Sequence, residues 1–240
     1  MNFEIIKSPN FQKKTRKTGN IKFIIIHYTG MQSIRASIKR LLNPKSKVSC
    51  HYLISRDGRL IKMVDDNKIA WHAGKSKWKT YKNLNFFSIG IELSNKGHQF
   101  GYQSYPKKQL KRLSKLVFFL KRKYKIKYVL GHSDVAPMRK KDPGEKFPWF
   151  KISEENKKKL NTLKKDRKLF LVLRKKEIRK RFFSNLFKIG YRYFNVLKEG
   201  KADKAVIKAF QRRFRQNNVN GVIDAECLKI SEKLANSNKI

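Results

Sequence analysis

Cysteine is nearly absent from this 240-residue chain, which has two, Cys50 and Cys227. Two thiols cannot build the disulfide framework of a small secreted domain, and neither lies in a paired metal-ligand spacing. Long apolar runs are missing too. "LVFFL", 116–120, falls far short of the roughly 20 residues that span a bilayer, so no membrane span is expected. The opening "MNFEIIKSPNFQKKTRK" has no apolar centre and carries Glu4 early, unlike a secretory signal. A cytoplasmic location is the expectation, with periplasm or cell envelope, reached by another route, as the alternative.

Acid is scarce: 17 Asp and Glu stand against 60 Lys and Arg, for a net charge of +43. Two readings of this excess stand side by side. Either a lysine-rich composition is spread over solvated surfaces, or the protein has affinity for a polyanion such as nucleic acid, a membrane face or an acidic wall polymer. No base-reading motif accompanies the charge, so no specific nucleic-acid partner is expected. The sequence carries no statement on oligomeric state.

What is present suits a folded protein. Hydrophobic residues make up 40 % of the chain, enough for one good core and a second small module at this length. "IKFIII", 21–26, reads as a central strand buried on both faces. "SIRASIKRLLN", 33–43, reads as a helix capped by Ser33. "CHYLISRDGRLIKMV", 50–64, is a hairpin turning at Asp57-Gly58. In "FFSIGIELSN", 86–95, alternation puts Ile89, Ile91 and Leu93 on one face and Ser88, Gly90 and Glu92 on the other. An amphipathic helix over 106–124 and a strand running into a loop over 127–137 complete a mixed α/β pattern ending near "FPWF", 147–150. A lysine-rich helical connector is expected over 151–182, opened by Ser153 with Glu154 and Glu155 in its first turn. The helical spacing of Ala205, Val206, Ala209 and Phe210 and the Asn220-Gly221 turn mark a small helical module over 183–240.

There are five histidines. His27 ends one apolar strand and His132 ends another, with Asp142 ten positions later in "KKDPG". Two imidazoles and a carboxylate are the donor set of a catalytic zinc site that leaves a fourth position for water. The spacing is dispersed and does not by itself establish such a site. A lone strand-end histidine is more often structural, and Glu92 and Lys140, read without context, are an ordinary strand carboxylate and a surface lysine.

The blocks "IIIHYTG", "VSCHYLISRDG", "AWHAG", "SIGIEL" and "GHSDVAPMRKKDPGEKFPW" occur in that order over about residues 20–150. Together they closely resemble the zinc N-acetylmuramoyl-L-alanine amidases of the amidase-2 type, which are related to bacteriophage T7 lysozyme and the peptidoglycan-recognition proteins. "KAVIKAFQRRFRQNNVNGVIDAE" resembles the small three-helix peptidoglycan-binding domain that often follows that catalytic domain. The resemblance implies one Zn²⁺ ion bound by His27, His132 and Asp142, with Glu92 as the catalytic glutamate and Lys140 as the catalytic lysine. The implied fold is α/β: a central mixed β-sheet flanked by helices with a zinc groove, plus a C-terminal three-helix domain. The domains would be 1–150, catalytic; 151–182, the connector; and 183–240, peptidoglycan-binding.

The implied reaction is hydrolysis of the amide between the lactyl group of N-acetylmuramic acid and L-alanine. The substrate is peptidoglycan or a soluble anhydromuropeptide. The alternative is a non-catalytic peptidoglycan-recognition protein. Loss of any one ligand would favour it, and none is missing. His51 and Tyr52 fall in a matching block as candidates for the groove, though strand alternation sends them to opposite faces and leaves room for one. Trp71 and His72 are either a wall against substrate or a core contact. Asn95 is either a groove residue or the closure of a turn. His98 reads as a loop residue without a partner, and Ser133 and Asp134 as residues shaping the loop.

Overall fold

A computed structural model of the chain describes residues 2–152 and 174–237. The first part begins with β1 (Glu4–Ile5), β2 (Phe11–Gln12), β3 (Phe23–Tyr28), α1 (Ile34–Leu42), β4 (Tyr52–Ile54) and β5 (Leu60–Lys62). It continues with β6 (Ile69–Ala70), β7 (Lys77–Trp78), β8 (Tyr81–Lys82), β9 (Ser88–Leu93), α2 (Lys107–Lys123), β10 (Tyr128–Gly131) and the single turn α3 (His132–Val135). Three further helices follow: α4 (Lys175–Ile189), α5 (Asp203–Phe214) and α6 (Ala225–Asn236). The expected connector falls mostly outside the described residues, and its expected border at 182/183 lies within α4.

Six strands form one mixed sheet in the order β1-β5-β4-β9-β3-β10. β3 runs parallel to both β9 and β10, β4 runs parallel to β9, and β5 returns antiparallel to β4. The β4–β5 hairpin turns at Asp57-Gly58 as the sequence predicts: Gly58 has φ 93°, and the Asp57 carboxylate accepts from the Arg59 N–H at 3.1 Å. Ser33 caps α1, its hydroxyl accepting from the Ala36 N–H at 3.1 Å.

Alternation decides what lies on each face of the sheet. Ile24 and Ile26 of β3, Ile89, Ile91 and Leu93 of β9, and Tyr52 and Ile54 of β4 point one way and pack under Leu110, Leu113, Leu116 and Leu120 of α2. The other face carries three different things along its width. Leu53 and Ile61 pack with Leu41 of α1. His27 and Glu92, register partners in the middle, are left uncovered by either helix layer. Phe23, Ile25 and Leu130 join a core with Phe182, Phe183 and Leu186 of α4 and Phe210 of α5. The groove thus runs between α1 on one side and the 139–142 loop on the other.

The C-terminal helices do more than cover an apolar face. Arg213 of α5 is buried and donates from Nη1 to Asp134 at 2.7 Å and from Nη2 to the Val129 carbonyl at 2.9 Å. Its guanidinium lies 4.1 Å from the Trp149 ring centroid. The Tyr191 hydroxyl donates to the other Asp134 oxygen at 2.7 Å, and Asp134 itself accepts from the Gly131 N–H at 2.8 Å. Asp134 shapes the loop, as expected, but its partners come from a distant part of the chain. Arg213→Met would leave a buried carboxylate without its cation, a loss of about 3–5 kcal/mol. Denaturant unfolding checks this, and an unchanged midpoint would contradict the role assigned to the pair.

Candidate metal centre

His27 occupies the fifth position of β3 and His132 the first turn after β10, so two adjacent parallel strands deliver both imidazoles to the same end of the sheet. Asp142 reaches them by a loop that is tied down three ways. The Ser133 N–H donates to the Asp142 carbonyl at 2.9 Å. The hydroxyls of Tyr102 and Tyr105 each donate to the Pro143 carbonyl at 2.7 Å. Gly131 has no side chain where a Cβ would press on Pro143 and Trp149.

The result is a buried triangle. His27 Nδ1 and His132 Nδ1 lie 3.0 Å apart, and Asp142 Oδ2 is 3.0 Å from the first and 3.1 Å from the second. A tetrahedral ion bound at about 2.0–2.1 Å separates its ligand atoms by roughly 3.3 Å, close to these edges. Among the described residues this is the one group of three His, Cys, Asp or Glu side chains placed to share a metal ion.

Hydrogen-bond direction sets which ring nitrogens face the triangle. The Ser88 hydroxyl donates to the Leu84 carbonyl at 2.6 Å, so it accepts from His72 Nε2 at 3.1 Å. His72 Nδ1 is then bare and accepts from His27 Nε2 at 3.0 Å. This leaves His27 Nδ1 without a proton. His132 Nε2 donates to the Ala73 carbonyl at 3.1 Å, so in the neutral ring His132 Nδ1 is bare as well. Three acceptors therefore face one another at about 3 Å with no proton between them, an arrangement that a cation satisfies.

Electrostatics keep it so. Burial, then the neighbouring His132, pushes His27 down to about 4 from its ordinary 6.5. Burial, then His27, holds His72 well below its usual range. Glu92 projects beside this triangle. Its Oε2 is buried without a hydrogen-bond partner, and burial, then the Asp142 charge, raises it to about 8 against a downward pull from Lys140. Lys140 is half-buried on the groove wall.

The groove encloses about 690 Å³ and is lined by His27, Glu92, Trp71, His72, Lys140 and Asp142 among others. Arg40, Arg139 and Lys141 add positive charge to its rim. Trp71 is thus a wall residue, while His72 lies between wall and core, its ring resting on β9 where Gly90 has no side chain to displace it. Three expected groove residues are elsewhere. Tyr52 is on the α2 face, its hydroxyl donating to Asp66 at 2.7 Å, because alternation from Leu53 turns it away. His51 is fully buried beneath the groove, its Nδ1 accepting from the Gly90 N–H at 2.9 Å. Asn95 is buried and closes its loop, donating to the Gln103 carbonyl at 2.8 Å and accepting from the Gly97 N–H at 3.0 Å.

Sequence reasoning missed the support around the site. His98 has partners after all: its Nδ1 lies 2.8 Å from the Tyr28 hydroxyl and its Nε2 3.1 Å from Glu145, and its ring stacks on Tyr102 at 4.4 Å. The His27–His72–Ser88 chain was likewise invisible, although a glycine inside a strand pattern is a signal that something approaches the backbone closely.

Against known proteins, residues 17–145 match the family Amidase_2, N-acetylmuramoyl-L-alanine amidase. AmiD of Escherichia coli K12 is 31 % identical, over 96 % of this chain and 90 % of its own length. AmpD of Haemophilus influenzae, a 1,6-anhydro-N-acetylmuramyl-L-alanine amidase, is 31 % identical over 60 % of this chain and 86 % of its own length. Among solved structures, E. coli AmiD in complex with anhydro-N-acetylmuramic acid-L-Ala-D-γ-Glu-L-Lys superposes with a TM-score of 0.72, at 28 % identity, covering 93 % of this chain and 91 % of that one. AmpDH3 of Pseudomonas aeruginosa gives 0.75 at 26 % identity, covering 95 % and 96 %. The fold and the site define an amide-hydrolysing enzyme on a mixed α/β scaffold. The chain belongs to the N-acetylmuramoyl-L-alanine amidase family.

Two outcomes are expected. His72→Phe removes the acceptor that sets the His27 tautomer and should weaken metal binding about 10–100-fold, read by competition with a chelating dye; unchanged affinity would contradict the chain of bonds. His27 and His51 have folded values lowered to about 4 and about 3, so their contribution to stability is whole above the ordinary 6.5 and is lost as pH falls through those values. The melting temperature of metal-free protein should therefore decline from about pH 6.5 to about pH 3. A flat profile would mean these imidazoles are not held neutral.

Proposed function

We propose that the chain is a zinc-dependent N-acetylmuramoyl-L-alanine amidase, with one Zn²⁺ held by His27, His132 and Asp142. It hydrolyses the amide between the lactyl group of N-acetylmuramic acid and L-alanine, in anhydromuropeptides or peptidoglycan. One observation carries the reading: three proton-free acceptors converge beside Glu92, whose Oε2 has no partner of its own.

An amide is a weak electrophile with a poor leaving group. Bound zinc supplies Lewis acidity towards water and the scissile carbonyl. The chain's own residues do the rest. Glu92, raised to about 8 by burial and the Asp142 charge, binds a proton near neutral pH and releases it readily. It takes the proton of the attacking water and delivers one to the departing amine. With a cation held by His27, His132 and Asp142, Glu92 would be lowered from that value and left free to accept the proton. Lys140, close enough to pull on both Glu92 and His27, stabilises the oxyanion of the tetrahedral intermediate through its ammonium group. Trp71 offers an aromatic wall, and Arg40 and Arg139 offer cations to an acidic stem peptide.

Anhydromuropeptide as substrate is supported by AmiD, whose solved complex contains such a molecule, and by its similarity along nearly the whole of this chain. A catalytic part, 1–150, and a wall-binding part, expected over 183–240 and beginning in the structure with the whole of α4, belong to the same proposal. A binding-only protein is the second reading, but it needs neither a complete ligand set nor a buried, unpartnered carboxylate aimed at it.

Chelation should abolish release of the stem peptide from anhydromuropeptide, with zinc restoring it, as followed by mass spectrometry of the products. Activity that survives full metal removal would refute zinc dependence. Glu92→Gln should keep its metal and lose about 100-fold or more in kcat. A near-normal rate would remove Glu92 as the base.

A further inference from the structure

The two faces of the sheet are used differently. The groove, α1 and α4–α6 share one face, and α2 packs on the opposite one through Leu110, Leu113, Leu116, Val117 and Leu120. The outward side of α2 carries no acidic residue at all. Lys111, Lys115, Phe118 and Arg122 follow a single line along it at helical spacing. Like charges four apart weaken a helix, so this pattern does not serve the stability of α2. The core does not account for the aromatic pair either: Phe118 is 63 % exposed and Phe119 37 %. Cations attend both rings, Arg122 at 5.8 Å from the Phe118 centroid and Lys123 at 5.9 Å from that of Phe119.

We propose that this face of α2 docks on an anionic lipid bilayer. Lysines alone would serve a charged polymer or a nucleic acid. Phe118, held in water beside Arg122, and the partly exposed Phe119 next to it add a second signal, apolar insertion at the head-group boundary, which is what distinguishes an interfacial helix from a polycation. The seventeen-residue helix would lie along the surface, and no helix among the described residues is long and apolar enough to cross the membrane. Because α2 and the groove are on opposite faces of one sheet, docking turns the groove away from lipid and leaves it open to substrate. The positive charge that the sequence left with two readings then has a use at one defined surface.

The test is co-sedimentation of the full chain with vesicles of phosphatidylglycerol mixed into phosphatidylcholine, against vesicles of phosphatidylcholine alone, with a DNA duplex as the polyanion that has no acyl phase. Wild-type protein should partition onto the anionic vesicles only. Phe118→Ser with Phe119→Ser should lower that partition coefficient about 10-fold or more. Phe187→Ser, which removes an exposed ring of α4 on the groove-side layer, should leave it unchanged. All variants should keep the wild-type melting temperature. The proposal is overturned if the double variant partitions like wild type, if Phe187→Ser costs as much, or if the protein binds the duplex but not the anionic vesicles. None of these readouts depends on hydrolysis, so they stand apart from the amidase reading.

Discussion

Everything at the catalytic end of the sheet depends on three acceptor atoms that the fold forces together without a proton to share. In water, two imidazole nitrogens and a carboxylate oxygen would not stay at about 3 Å from one another. Here each is committed elsewhere on its far side or pinned by its backbone. His27 is held through His72 and Ser88, His132 through the Ala73 carbonyl, and Asp142 through the Ser133 N–H. The residues are far apart in the chain, with 105 positions between His27 and His132 and 115 between His27 and Asp142. The sheet is what makes them neighbours: parallel pairing of β3 with β10 sets the two imidazoles side by side, and pairing of β3 with β9 sets Glu92 across from His27.

The same register explains why the groove is where it is. One face of the sheet is closed by a single amphipathic helix. The other is closed at both margins and left open in the middle, where the polar residues of β3 and β9 fall. The C-terminal helices close one of those margins and also reach the segment that carries His132, since Asp134, two residues beyond it, is gripped by Arg213 and Tyr191. Stability of the C-terminal packing and geometry of the site are thus coupled through one buried carboxylate.

Much of this was legible in the residues. Period-two alternation in 86–95 separated Ile89, Ile91 and Leu93 from Gly90 and Glu92, which is how the sheet divides them. Ser33 and Asp57-Gly58 marked a cap and a turn through chemistry local to a few residues. The donor set His27, His132 and Asp142 was suggested by residue type and by family resemblance, and the structure brings the three together. The substrate-side residues were less legible. Strand alternation correctly split His51 from Tyr52, but it could not say that both would be buried, because that depends on which helix covers each face. Asn95 resolved as a loop closure. The supports formed by His72 with Ser88, His98 with Glu145, and Arg213 with Asp134 join segments with no shared periodicity, so no local pattern announces them.

The account rests on one cation at one place. X-ray absorption at the zinc edge of the full chain, loaded with one equivalent of zinc, tests it most directly. The prediction is a single four-coordinate site with two imidazole nitrogens and a carboxylate oxygen in its first shell, losing an imidazole in His27→Ala and in His132→Ala. A spectrum without histidine ligands, or one unchanged by both substitutions, would contradict it.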